Sequence, residues 1–350
     1  MKRLIALALW ILVAAPTRAD IDREGLIGLS ASVLKIEVLR VQGGVSLGSG
    51  VVVAPEKIFT NCHVTHDALE INVLRGGVRW PAASQMSDVD HDLCLLRVPG
   101  LNASVVTLGQ ADRLKPGQAV IALGYTGGVR MQHSRGIVLA LHRFDGSRVI
   151  QSSNWFSSGA SGGGLFDEDL HLVGILTFHL RGGDAHYFAA PAEWLQAMLD
   201  AHGEEGYSDV VPDRSQQLPY WQRPLVDQPR FLQAALLQHD EQWPQLASMA
   251  VEWAHADASD SEPWYLMGVA LARMNRLPEA QHALECSLAI EPASTAAWAL
   301  LAPVYSKQGQ TERAAKIVSR LNNRDPRPRQ LLPPAMSAPC AIGTPVSRTP

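Results

Sequence analysis

The chain has 350 residues, 47% of them hydrophobic and 18% charged, with a formal net charge of -4. That is enough for about two globular domains at roughly 150 residues each. The mildly acidic balance and the lack of basic runs argue against nucleic acid and against a membrane-surface role.

At the N-terminus, Lys2 and Arg3 precede an apolar run from Leu4 to Ala15, and Thr17-Arg18-Ala19 ends in a small residue. This is the pattern of a signal peptide spanning residues 1–19, with cleavage before Asp20. The run is shorter than the ~20 residues that span a bilayer. A retained anchor is the alternative, and export to the periplasm or beyond is the expectation. No later segment is apolar enough for stable membrane insertion.

From about Ile27 to Leu199 the chain reads as β. The runs "VLKIEVL", "GSGVVVA", "LCLLRV", "QAVIALGY" and "LVGILTF" recur between Gly, Pro, Asn and Asp punctuation. Short strands at that rhythm predict barrels or sandwiches rather than a parallel sheet. A helix is expected after Pro191, in "APAEWLQAMLDAH", and residues 201–227, with Pro212, Pro219 and Pro224, read as a linker.

Beyond the linker the period changes to 3.6. Trp264 and Trp298, Ala280 and Ala314, and Pro292 and Pro326 are each 34 residues apart. Trp264, Gly268, Ala280 and Pro292 resemble one tetratricopeptide repeat, and Trp298, Leu301, Tyr305, Ala314 and Pro326 the next. An earlier degenerate unit has Arg230 in place of Trp but keeps Ala234, Leu237, Leu246 and Ala250. The resemblance implies about three helix–turn–helix units over 228–326 and a protein-binding surface. Pro303 departs from the motif and is expected to kink its helix. The Pro-rich tail, 327–350, is expected to be disordered.

The chemistry sits in the β region. In "SSGASGGGLF" Ser161 stands between Ala160 and three glycines, a flexible turn or a nucleophile whose neighbours leave the main chain open to substrate. A serine hydroxyl needs a base, usually a histidine held by a buried carboxylate. His63 follows a predicted strand in "EKIFTNCHVTHDA", and Asp92 stands just before the buried run Leu93 to Val98. The order His63, Asp92, Ser161 is that of the chymotrypsin-like enzymes.

The flanking sequences carry a resemblance. "GSGVVVAPEKIFTNCHV", "HDLCLLRV", "SGASGGGLFDEDLHLVGILT" and "HYFAAPAEWL" resemble the His, Asp and Ser segments and the closing helix of trypsin-like proteases of the HtrA (Deg) kind. The resemblance covers roughly residues 27–200. It implies an all-β, chymotrypsin-like domain over 20–200, built from two six-stranded antiparallel barrels, followed by the all-α repeats. It also implies His63 as general base, Asp92 as its orienting acid, Ser161 as nucleophile, and an oxyanion hole from the N–H groups of Gly159 and Ser161. In such enzymes the substrate pocket is walled from just before the Ser loop and from the strand after it, here Trp155 and Phe156, and Thr177, Phe178 and His179. No acidic residue lies there, so a small or apolar preference is expected rather than a basic one.

Two departures qualify the match. The family's Asn before the serine is Ala160, and its usual Pro three residues after is Gly164, whose freedom could leave the oxyanion loop disordered at rest. If His63 and Asp92 meet, their neighbours Cys62 and Cys94 come close as well, either as a disulfide or as two separate thiols. No metal site and no cofactor are expected.

The expected function is an exported serine endopeptidase acting on protein or peptide substrates, with the repeats binding a protein partner or promoting self-association. The alternatives are a latent or inactive protease-fold scaffold, and a hydrolase of small esters or amides.

Overall fold

The computed structural model describes residues 23–180, 187–201, 206–212, 217–323 and 340. The expected signal peptide and nearly all of the Pro-rich tail, together with Pro326, lie outside the described residues. No described helix is long and apolar enough to cross a membrane.

A short helix α1 (Arg23–Ser30) leads into the first β unit. Its strands are β1 (Val33–Arg40), β2 (Val45–Ala54), β3 (Lys57–Thr60), β4 (Ala68–Arg75), β5 (Val78–Pro81), β6 (Ser84–Asp88) and β7 (Leu93–Arg97). A one-turn helix α2 (Cys62–Thr65) follows β3. The second unit holds β8 (Ala119–Gly124), β9 (Gln132–Phe144), β10 (Ser147–Ser152), β11 (Gly164–Phe166), β12 (Leu172–His179) and β13 (Tyr187–Pro191), with helix α3 (Ala192–Ala201) behind it. All ladders within both units are antiparallel. The register Val33↔Val51 in β1–β2 and Thr60↔Cys94 in β3–β7 fixes the ends that carry the site.

The second unit is a closed six-stranded barrel, β10-β13-β12-β11-β8-β9. The first corrects the expectation of a matching six-stranded barrel. With a two-residue strand from Ser208–Asp209 as β14, it is an eight-stranded sheet in the order β14-β6-β7-β3-β2-β1-β4-β5. Strand β14 (Ser208–Asp209) comes from beyond α3 and pairs with Gln85 and Ser84. It therefore occupies the edge of β6 that barrel closure would need, while the opposite edge, β5, ends in Pro81.

The apolar alternation has two destinations. Leu34, Ile36, Val38, Val52, Ile58, Ile71 and Leu96 fill the first unit's own core. Val33, Val51, Phe59, Leu93 and Leu95 join Ile121, Leu123, Phe166 and Ile175 of the barrel in one larger core. Burial at about 25 cal/mol per Å² of apolar surface makes this shared core the main force holding the units together. The site lies where they meet.

The C-terminal region is six helices in three consecutive pairs. They are α4 (Arg230–His239) with α5 (Trp243–Ala256), α6 (Glu262–Arg273) with α7 (Leu277–Ile290), and α8 (Thr295–Lys307) with α9 (Thr311–Asn323). Repeat positions Trp264, Ala280, Trp298, Leu301 and Tyr305 are all buried. Helix α8 continues through Pro303. Cys286 of α7 is joined by a disulfide to Cys340.

The described residues of the stretch read as a linker are mostly exposed, but the stretch is anchored at particular points. Besides β14 it supplies Tyr220, 1% exposed, which sits among Phe144, Phe178, Trp194 and Phe231. The degenerate first repeat turns Phe231 onto the barrel, flat against His142 at 4.5 Å between ring centres.

Candidate active site

Strand β3 leads into the segment that carries His63. Asn61 follows the strand as the N-cap of α2, which carries His63. The buried Asn61 side chain donates through Nδ2 to the Asp92 carbonyl oxygen at 2.9 Å, and Cys62 N–H donates to the same oxygen at 3.3 Å. Asp92 adopts φ +59°, a left-handed conformation that Asp tolerates better than most residues and that is found where geometry is over-determined by function. The bend lets its side chain point back at α2 while Leu93 enters β7.

His63 is bound to Asp92 twice. Its backbone N–H donates to Oδ1 at 2.8 Å, and ring Nδ1 meets Oδ2 at 2.6 Å. Asp92 has no exposed surface. Asp92 as an acceptor-only carboxylate makes Nδ1 the protonated nitrogen, leaving Nε2 with a lone pair. Cys62 and Cys94, one residue before His63 and two after Asp92, are joined by a disulfide.

Ser161 comes from the other unit, on the loop between β10 and β11. Its carbonyl oxygen accepts from Ser49 N–H of β2 at 2.8 Å, so the loop is pinned to the first unit. Its Oγ donates to the Thr177 carbonyl oxygen at 3.3 Å, and no hydrogen bond links it to His63 among the described residues. Catalytic hydrogen bonds are often long or absent without substrate.

Gly159 has φ +91°, and a Cβ there would lie 2.5 Å from the Tyr125 carbonyl oxygen. Only glycine fits. The Ser158 carbonyl accepts from Gly127 N–H at 2.7 Å. In a trans peptide the following N–H points the opposite way, and the amides of Gly159 and Ser161 have no acceptor among the described residues. Ser49 braces this loop as well: Ser49 Oγ donates to Gly159 O at 2.7 Å and accepts from Tyr125 N–H at 2.8 Å. Gly164, expected to loosen the loop, instead lies buried in β11, paired with Leu123 and Ile175.

The five pocket-wall residues separate. Trp155 and Phe156 line a small cavity of about 30 Å³ with Gly124, His133, Ala160 and Leu176. Trp155 is 56% exposed and Phe156 is buried against Tyr187. Thr177 is buried, its hydroxyl donating to Ile175 O. Phe178 is buried between Phe188 and Trp221, and His179 is exposed beside Tyr187.

Two residues beside the site had no sequence signal that separated them from their surroundings. Ser49 lies in the "GSG" of β2, and Trp221 lies in the supposed linker. Trp221 Nε1 donates to Asp92 Oδ2 at 3.1 Å, and its ring meets His63 edge-on at 5.6 Å.

Comparison with known proteins agrees with this architecture. Residues 48–175 match the trypsin-like peptidase domain family, and residues 271–332 match the tetratricopeptide repeat. A probable periplasmic serine endoprotease DegP-like from Halomonas elongata is 36% identical over 170 residues, 46% of this chain and 36% of that protein. Serine protease HTRA4 of Mus musculus is 30% identical over 196 residues, 52% of this chain and 39% of that protein. The chain thus spans well under half the length of these relatives. Among solved structures, the HtrA-type protease AlgW with tripeptide is 29% identical with a TM-score of 0.46, over 51% of this chain and 63% of that one. The chain thus contains a segment, residues 48–175, that matches a trypsin-like peptidase domain and is similar to proteases of the HtrA kind, followed by one, residues 271–332, that matches the tetratricopeptide repeat.

Proposed function

We propose that the protein is an exported serine endopeptidase with a catalytic domain over about 20–200 and an interaction module over about 228–326. The observation that carries the reading is the pair of hydrogen bonds from His63 to buried Asp92, beside a Ser161 loop in which the amides of Gly159 and Ser161 have no acceptor among the described residues. In this mechanism Nε2 of His63 takes the proton of Ser161 Oγ as the oxygen attacks the peptide carbonyl, and returns it to the leaving amine. Asp92 holds the tautomer and stabilises the imidazolium that forms. The amides of Gly159 and Ser161 receive the oxyanion, each such donor contributing about 10²–10³ in rate. Water then repeats the sequence on the acyl-enzyme. Trp155 and Phe156 flank a cavity that suits a small apolar side chain.

The periplasmic names of several relatives and the N-terminal pattern of residues 1–19 support export. The repeats are assigned to protein partners, either delivering substrates for protein quality control or tethering the enzyme.

One observation favours a second reading, a latent enzyme or scaffold: Ser161 Oγ is bonded to Thr177 O rather than to His63. Labelling of the mature protein with a fluorophosphonate probe, beside a Ser161→Ala control, separates the two. Labelling of the wild type alone is expected. Absence of labelling in both rejects the endopeptidase reading for the isolated chain.

A further inference from the structure

The acid–base pair has a third member, and it comes from outside the protease domain. Asp92 is fully buried, and a buried carboxylate must have its lone pairs occupied by donors. Its Oδ1 accepts from His63 N–H, and its Oδ2 accepts from His63 Nδ1 and from Trp221 Nε1. Among the described residues Trp221 is the side-chain donor to Asp92 besides His63. Thr177, the nearest hydroxyl on β12, turns away to Ile175 O.

Trp221 is itself fixed from both ends. Tyr220 N–H donates to Asp90 O at 3.0 Å, and Arg223 forms an ion pair with Asp90. On the far side, Gln228 Nε2 donates to the carbonyl oxygens of Trp221 and Arg223, and Gln233 of α4 holds Gln228. The indole is stacked on Phe178 at 4.8 Å and 7°, which is stacked in turn on Phe188 at 4.7 Å and 10°. A column of rings therefore runs from His63 to the face on which the first repeat helix rests.

We infer that Trp221 is a positioning residue: its indole N–H holds Asp92 Oδ2 in line with His63, so the segment leading to the repeats completes the catalytic site. The inference rests on the endopeptidase reading, and it makes activity depend on a residue that the protease domain alone does not contain.

The expected effects follow from electrostatics. An N–H dipole on the carboxylate lowers its pull on the imidazolium. Without that donor the pair takes up a proton more readily, so the acid limb of activity moves to higher pH. Other ionisable groups around the pair include Tyr220, pushed well up by burial and then by Asp92 and so neutral throughout, and the Arg223–Asp90 pair. They also include His66 with Asp67, Arg40, and His91, which burial lowers but Asp88 and Asp145 raise on balance; Trp221→Phe leaves all of these in place.

The test uses the full chain with Trp221→Phe, which keeps the ring stack and deletes the N–H. A second variant places 3-benzothienylalanine at 221, keeping the full indole shape should the smaller ring disturb folding. Fluorophosphonate labelling rate is measured against pH, and the His63 ring signal is titrated by nuclear magnetic resonance, identified by its loss in His63→Ala. The expected result is a labelling rate lower by about tenfold, the scale of one hydrogen bond to a charged group. Both the acid limb and the His63 midpoint move to higher pH. A rate within about twofold of wild type, with both midpoints unchanged, overturns the inference. If the wild type is not labelled, the endopeptidase reading fails, and the His63 midpoint alone decides: a rise supports the positioning role and no change removes it.

Discussion

The joint between barrel and repeats makes a pH-dependent prediction that can be worked from the structure. His142 of β9 is buried, with Nδ1 2.7 Å from Glu262 Oε1 at the start of α6 and Nε2 3.0 Å from Gln151 Oε1. Oxygen acceptors on both ring nitrogens suit the imidazolium, in which both nitrogens donate. The ring lies flat on Phe231 of α4, within 12° of parallel, where the π face favours positive charge. Burial works against the charge, but Glu262, Gln151 and Asp260 outweigh it and hold His142 above the ordinary 6.5. A base with a raised folded value adds stability that is complete below about 6.5 and is lost as pH rises through the folded value. Glu262→Gln keeps the shape and removes the charge. A charge-assisted bond contributes about 1.5–3 kcal/mol against about 0.5–1.5 for a neutral one, so the variant loses about 1–1.5 kcal/mol at acid pH. At alkaline pH the loss shrinks, since a neutral ring no longer needs the carboxylate. Thermal unfolding of the full chain reads this as a gap between wild type and variant of about 3 °C near pH 5.5, narrowing by about pH 9. Comparing the two proteins at each pH cancels the titrating groups that Glu262 does not reach; Asp260 and Tyr265, each raised by burial and in part by Glu262, do not cancel, so an Asp260→Asn background is compared in the same way. A gap that stays constant or widens with pH refutes the argument.

Tyr220→Ala removes a fully buried ring from between barrel and repeats and is expected to cost about 3–4 kcal/mol in denaturant unfolding; a loss under about 1 kcal/mol contradicts its place in the core. The Cys62–Cys94 disulfide closes residues 32 apart, so Cys62→Ser with Cys94→Ser is expected to lose about 3–4 kcal/mol and to slow labelling of Ser161. Alkylation and intact mass with and without reductant check the bond itself. Gly159→Ala forces a Cβ against Tyr125 O and displaces the amide proposed as an oxyanion donor; labelling is expected to fall by about 10²-fold or more while the thermal midpoint moves far less. Trp155→Ala, at an exposed position, is expected to leave stability within about 0.5 kcal/mol and to change preference across a library of peptides differing at the residue before the cleaved bond.

What the sequence reveals here and what it hides follow from how local each feature is. The strands announce themselves because their alternation must match a half-buried surface. The repeats do so because the 34-residue period places Trp264 and Trp298 in equivalent packing sites, buried in both cases. The segments around His63, Asp92 and Ser161 are legible because each needs a particular short backbone shape beside it. Features set by contacts across long separations carry no such mark. Strand β14 is two residues long, too short for any alternation, and exists only because β6 offers an edge. Gly164 looks like a loose hinge in a run of glycines, yet the ladders to Leu123 and Ile175 lock it into β11.

Trp221 shows the same limit most sharply, because its surroundings in sequence point the wrong way. A Trp among prolines 219 and 224, after the helix that closes the domain, reads as linker by every local rule. Its contacts reach 129 residues back to Asp92 and 43 residues back to Phe178. A flexible tether would leave an exposed indole unordered, since holding a large side chain costs entropy that solvent contact does not return. Here the indole gains a buried carboxylate acceptor and a stacked ring at once, and the backbone on either side is hydrogen-bonded to the protease unit and to the run-up to α4. If Trp221 positions Asp92 in a working protease, that arrangement couples the two modules thermodynamically. Any partner that binds the repeats and shifts α4 away from His142 and Phe188 must also work against the column that ends at His63, and substrate that tightens the His63–Asp92 pair must favour the docked repeats by the same free energy.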